Sequence, residues 1–300
     1  MTNTLPTLAA ITISSQKWEE SVTAWKKYFG YEILESGYLS KELVRTWNAP
    51  KNVDSRIAIL APENGNKSVF IRIVENIHPK KYLPLRSFGW SSVELSVSDV
   101  DQLDVELKNS PFKIIGTPHD LSFSNGQLRA MQAQGPGDEI IILTEVKDNI
   151  ENFDIPIATC KVDRPFVAVL AARDLETAQK FFYDKLMVPK GKEIKTEIWS
   201  VSNAFHLSRD TLYTISAGKL MNSSLIEIDE YPEGAIRRPV VSGYLPPGVS
   251  HVSFLINNIE EIPLYWLTEP NTFSGLPYQN RKQVTFFGSS GELIELIESQ

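Results

Sequence analysis

One pattern of apolar and polar positions recurs four times along this chain. Each copy opens with a strand, at 8–14, 91–97, 166–172 and 250–256. A helix that begins on acidic residues follows. A last strand of the form aliphatic-x-aliphatic-x-Glu closes each copy, at 69–75, 140–145, 225–230 and 293–298. Repetition of one supersecondary unit predicts a modular architecture before any single residue is read. In the first copy Trp18, Val22, Trp25 and Phe29 recur at helical spacing, and Gly30 ends the run. In the second, Asp99 caps a helix reaching 108, with Leu103 and Leu107 facing inward. In the third, Asp174 caps the clearest helix, with Leu175, Ala178, Phe181, Phe182 and Leu186 as its apolar stripe. The fourth predicts a short helix near 259–267. The aromatic stripes read as core packing.

The copies also repeat as pairs. Copy three follows copy one by 157 residues (Ala10 to Val167), and copy four follows copy two by 159 (Ser92 to His251). Duplication of a paired module predicts an N-terminal domain over 1–146 and a C-terminal domain over 165–300. The stretch 147–164, polar and acidic and then carrying Pro156, reads as the linker.

Composition narrows the class. The chain has 300 residues, 42% of them hydrophobic and 22% charged, and a net charge of −7. These values fit a globular protein with ordinary cores and argue against a nucleic-acid surface. No apolar run reaches the ~18 residues of a membrane span. The first residues show no basic region followed by an apolar stretch, so the expectation is a cytoplasmic protein without a secretory signal. Cys160 is the only cysteine, which leaves no internal disulfide and no thiolate metal cage; it reads as a bland thiol. No nucleophile elbow, phosphate loop or dinucleotide fingerprint appears. A small-molecule ligand and a possible homo-oligomer are the remaining partners, with neither nucleic acid nor membrane expected.

Three stretches carry a family resemblance: Ala172-Arg173-Asp174-Leu175 leading to Phe181-Phe182-Tyr183-Asp184-Lys185-Leu186; Pro247-Gly248-Val249-Ser250-His251-Val252-Ser253-Phe254; and Gly291-Glu292-Leu293-Ile294-Glu295-Leu296. With the fourfold β-α-β-β-β order they resemble the vicinal oxygen chelate superfamily, which includes glyoxalase I, bleomycin- and fosfomycin-resistance proteins and extradiol dioxygenases. The resemblance implies an α+β fold in which four βαβββ modules pair into two incomplete barrels (glyoxalase-like). It also implies metal ligands on the first and last strand of each module. Carried over by position, these are Ala10 and Arg72, Ser92 and Ile142, Val167 and Glu227, and His251 and Glu295.

On that basis the N-terminal half lacks the family's ligands, and the C-terminal half keeps Glu227, His251 and Glu295. Two carboxylates and an imidazole suit Fe, Mn, Ni, Co or Zn as the divalent metal. Glu295, as ligand and base, and His206, expected in a middle strand, are the candidate proton carriers. Tyr183, Trp199, Phe205 and Trp266 are candidates for an aromatic substrate wall, and Arg72 for recognition of a substrate anion. The implied function is a metal-dependent enzyme, isomerase, lyase or oxygenase, acting on a small carbonyl, enol or aromatic metabolite. Two metal-free functions stand beside it: a small-molecule-binding protein of the bleomycin-resistance type, and an acid–base enzyme.

The same residues also have structural readings. The two strand glutamates can pair with Arg173, Arg237, Arg238 or Arg281, and Arg72 with Glu94 or Glu75. Glu75, Glu145, Glu230 and Glu298 lie an odd step from the ligand positions, so they face away from the cup.

Overall fold

The computed structural model describes residues 5–148 and 154–299. Each module opens and closes with the strands its pattern predicts. Module one contains β1 (Thr7–Ser15), α1 (Trp18–Phe29), β2 (Tyr31–Tyr38), α2 (Lys41–Thr46), β3 (Arg56–Pro62) and β4 (Phe70–Glu75). Module two contains β5 (Gly89–Val97), α3 (Val100–Leu107), β6 (Lys113–Asp120), β7 (Leu128–Gln134) and β8 (Ile140–Val146). Module three contains β9 (Val162–Ala172), α4 (Leu175–Leu186), β10 (Glu193–Glu197), α5 (Trp199–Phe205), β11 (Leu212–Lys219) and β12 (Leu225–Glu230). Module four contains β13 (Gly248–Ile256), β14 (Asn271–Phe273), β15 (Arg281–Phe287) and β16 (Leu293–Glu298).

The expected caps form. Asp99 accepts from the Gln102 N–H at 2.9 Å and Asp174 from the Thr177 N–H at 2.7 Å. Gly30 closes α1 at φ 70°, a left-handed backbone that suits glycine. Module four departs from expectation. Its helix is reduced to a 3-10 turn at Ile259–Glu261. Pro263 has no N–H to continue a helix, and it pushes Ile262 into extended backbone, at ψ 114°. Three of the four outward glutamates have structural partners: Glu145 accepts from the Val100 N–H, Glu298 from the Ile259 N–H, and Glu75 pairs with Arg56.

The modules assemble into two eight-stranded sheets. The first runs β14-β15-β16-β13-β1-β4-β3-β2, and the second β10-β11-β12-β9-β5-β8-β7-β6. Module one therefore joins module four, and module two joins module three. This differs from the pairing of consecutive modules read from chain order. The joins are antiparallel, β1 with β13 and β5 with β9. A repeat shows that four strand edges are equivalent, but it does not show which two meet. Of the expected linker, 149–153 lie outside the described residues, while residues 162–164 already belong to β9.

Side chains alternate across each sheet. One face of both sheets, with Ile11, Ile13, Val93, Leu95, Ala168, Leu170, Val252 and Phe254, builds a single core with the helices, including Trp25, Leu103 and Phe182. The opposite face of each sheet is a cup.

Candidate functional site

The strand registers fix equivalent positions in the two cups. In the first, Thr12 lies beside Arg72 on β4 and opposite His251 on β13, and Ser253 lies beside Glu295 on β16. In the second, Val169 lies beside Glu227 on β12 and opposite Ser92 on β5, and Glu94 lies beside Ile142 on β8. Glu227 thus takes the place of Arg72, Ser92 that of His251, and Ile142 that of Glu295. The three metal ligands expected together are split: His251 and Glu295 share the first cup, and Glu227 lies in the second. The split follows from the module pairing.

The first cup is filled by its own side chains. Arg72 donates from Nε to Thr12 Oγ1 at 2.7 Å, from Nη1 to Tyr278 Oη at 2.8 Å, and from Nη2 to Glu295 Oε2 at 2.9 Å and His251 Nε2 at 3.0 Å. Glu295 also accepts from the Trp47 indole at 2.7 Å, Tyr278 at 2.9 Å and Ser253 at 2.5 Å. A guanidinium only donates, so His251 Nε2 accepts and the ring proton resides on Nδ1, 3.4 Å from Ser250 Oγ. Burial and then the Arg72 charge push the His251 imidazole down to about 3. Burial alone would raise the Glu295 carboxyl, but Arg72, His251 and the hydrogen bonds outweigh it and hold it below its ordinary value. Trp47, delivered by the turn after α2, lies over His251 with ring centroids 4.6 Å apart. Leu39, Val44, Tyr278 and Leu245 close the rest. The structural pairings considered for Arg72 and Glu295 with other partners give way to this pair.

The second cup is open. It holds a cavity of about 580 Å³, within the roughly 300–1,000 Å³ of small-molecule sites. Leu121, Phe123, Leu128, Ile142, Phe166, Val167, Ile194 and Ala217 form an apolar wall. Trp199, at the start of α5, lies at the cavity with the His119 ring stacked 4.2 Å from it and the Arg209 guanidinium 5.4 Å over it. Four carboxyls line the cavity: Glu197 on β10, exposed and accepting from the Trp199 indole at 2.9 Å, Glu94 from β5, and Glu227 and Asp229, two residues apart on one face of β12. Thr144 donates to Glu94. Burial, then the neighbouring Glu227 charge, pushes Glu94 up to about 8. Burial likewise raises the Glu227–Asp229 pair, whose mutual contact becomes a hydrogen bond only when one of them carries the proton.

Of the expected substrate wall, Trp199 lines this cavity. Tyr183 is exposed on α4, Phe205 packs edge-on against Tyr231, and Trp266 packs on the main core. His206 is not in a strand; it caps α5 at φ 58° and is solvent-exposed, because the segment expected to be extended coils into that helix. Cys160 donates to Val162 O, and burial lifts its thiol to about 11, so it is no activated nucleophile. Glu94 and Asp229 were legible only as acids in apolar strands. The period-two spacing of Glu227 and Asp229 was the available signal.

No protein-family model and no curated protein matches the sequence. Among solved structures, glyoxalase I from Zea mays is similar at 18% identity, covering 98% of this chain and 92% of that one, with a TM-score of 0.62. A Bacillus subtilis protein provisionally assigned as a dioxygenase is similar at 10% identity, covering 98% and 86%, with a TM-score of 0.63. This chain has a glyoxalase-like fold. The metal that this fold implies does not suit the residues present. In the first cup the two expected ligands that do meet, His251 and Glu295, both point at a guanidinium. Among the described residues, no three His, Cys, Asp or Glu side chains are arranged to hold a metal ion.

Proposed function

We propose that the chain binds a small organic molecule in the cup formed by modules two and three, without a metal. The observation that carries this reading is the contrast between the cups. One is closed by a satisfied Arg72–Glu295–His251 network, and the other keeps an apolar cavity with Trp199 at its edge and carboxyls inside it. Apolar walls with a few convergent polar groups are the usual make-up of a ligand site. Of the functions the fold admits, the metal-free binding protein fits these residues best. The Glu227–Asp229 pair, sharing one proton, also favours a metal-free acid–base enzyme as the second reading.

The test is titration with the neutral fluorophore N-phenyl-1-naphthylamine, comparing the wild type with Ile142→Trp, whose indole grows into the cavity. Saturable 1:1 enhancement that the substitution abolishes supports the reading. No saturable enhancement, or enhancement indifferent to the substitution, contradicts it.

A further inference from the structure

The charges inside the second cup are unbalanced in a way that points to the ligand's chemistry; the inference rests on the ligand-cup reading above. In the first cup, opposite charges meet in Arg72 and Glu295, 2.9 Å apart. At the equivalent positions of the second cup, Glu227 replaces the arginine and Ile142 replaces the glutamate. Glu94 and Asp229 add two further acids. The strongest charge effects on these three carboxyls come from one another. Lys190, Lys192 and Lys219 line the cavity, but all three are solvent-exposed. Asp229 is 4% exposed, and its Oδ1 is buried with no N–H or hydroxyl donor facing it. A buried acceptor without a donor costs free energy, and among the described residues only a proton shared with Glu227 can offset that cost.

We propose that the second cup takes an organic cation, a protonated amine or amidine on an apolar or aromatic body, with its nitrogen among Asp229, Glu227 and Glu94 and its body against Trp199 and Ile142. A positive nitrogen supplies both the counter-charge and the donor that Asp229 Oδ1 lacks. Burial and mutual repulsion keep the carboxyls partly protonated in the free protein. The arriving cation favours their ionised forms, so binding releases a proton from the cluster to solvent. An anionic ligand meets the opposite situation and is repelled.

Three ligands of one shape test this: 1-naphthylmethylamine, 1-naphthylmethanol and 1-naphthoate, each displacing N-phenyl-1-naphthylamine from the wild type at pH 7.5. The amine should bind at least about tenfold more tightly than the alcohol, as charge-assisted hydrogen bonds require, with the carboxylate weakest. Asp229→Asn and Glu94→Gln should each narrow the amine-to-alcohol ratio. Calorimetry in two buffers of different ionisation enthalpy should show proton release with the amine and none with the alcohol. Equal binding of amine and alcohol, or tightest binding of the carboxylate, overturns the inference and leaves the ligand cup standing. Failure of the fluorophore itself to bind overturns both. The wild-type comparison decides even if a variant fails to fold.

Discussion

Arg72 Nη2 lies 2.9 Å from Glu295 Oε2, and both side chains are buried from solvent, at 1% and 0% exposure. Two residues 223 positions apart in the chain thus neutralise each other where β4 and β16 of one sheet face a common cup. Removing one partner leaves the other charged and unpaired. Arg72→Met should destabilise the protein by about 3–5 kcal/mol in urea unfolding, whereas the double variant Arg72→Met/Glu295→Met should recover much of that loss. Wild-type stability in the single variant would contradict the role assigned to the pair.

Trp47 donates its indole N–H to Glu295 Oε1 at 2.7 Å. Trp47→Phe keeps the ring over His251 but withdraws that donor, and should cost about 1–3 kcal/mol. Fluorophore binding should be unchanged, because Trp47 belongs to the filled cup. A large loss of binding would place the ligand there instead.

The carboxyls of the second cup make stability depend on pH with a definite sign. Glu94 is raised to about 8, and Glu227 and Asp229 are raised with it. Above the ordinary carboxylate range the folded state then holds protons that the unfolded state has lost. Stability from this source is complete at low pH and is lost as pH rises through about 8. His251, lowered to about 3, acts oppositely: the unfolded chain takes up a proton that the folded one refuses, and stability falls as pH drops from 6.5 toward 3. The urea midpoint of the wild type should fall between pH 6 and 9, and that of Glu94→Gln should fall less. Parallel curves would remove Glu94 as the cause.

Metal content separates this account from the metal-dependent function that the fold resemblance implies. Protein purified without chelator, then offered Fe, Mn, Ni, Co or Zn, should retain no stoichiometric ion by elemental analysis. His251→Ala/Glu295→Ala should not change that result. One tightly held ion per chain, lost in the double variant, would restore the metal reading.

The sequence made the modules legible because period and caps are local. The strand at 293–298 and the caps at Asp99 and Asp174 follow from side-chain alternation and from acids placed before apolar stripes. Assembly was not legible in the same way. That β1 meets β13, and β5 meets β9, depends on the fit of equivalent edges far apart in the chain. The site inherited this error. Glu227, His251 and Glu295 each face a cup as parity requires, but not the same cup. His206 was misplaced for a local reason, since Trp199–Phe205 forms a helix where an extended segment was expected. The filling of one cup by Trp47 and Tyr278 depends on loops whose course the strand pattern does not encode.

The central claim is that ligands enter the cup of modules two and three. A diazirine derivative of 1-naphthylmethylamine, photolysed on the folded protein and mapped by peptide mass spectrometry, tests it most directly. The account predicts labelling around Trp199, Ile142 and residues 119–132, suppressed by excess unlabelled amine. Competable labelling concentrated around Trp47, His251 and Tyr278 would contradict it.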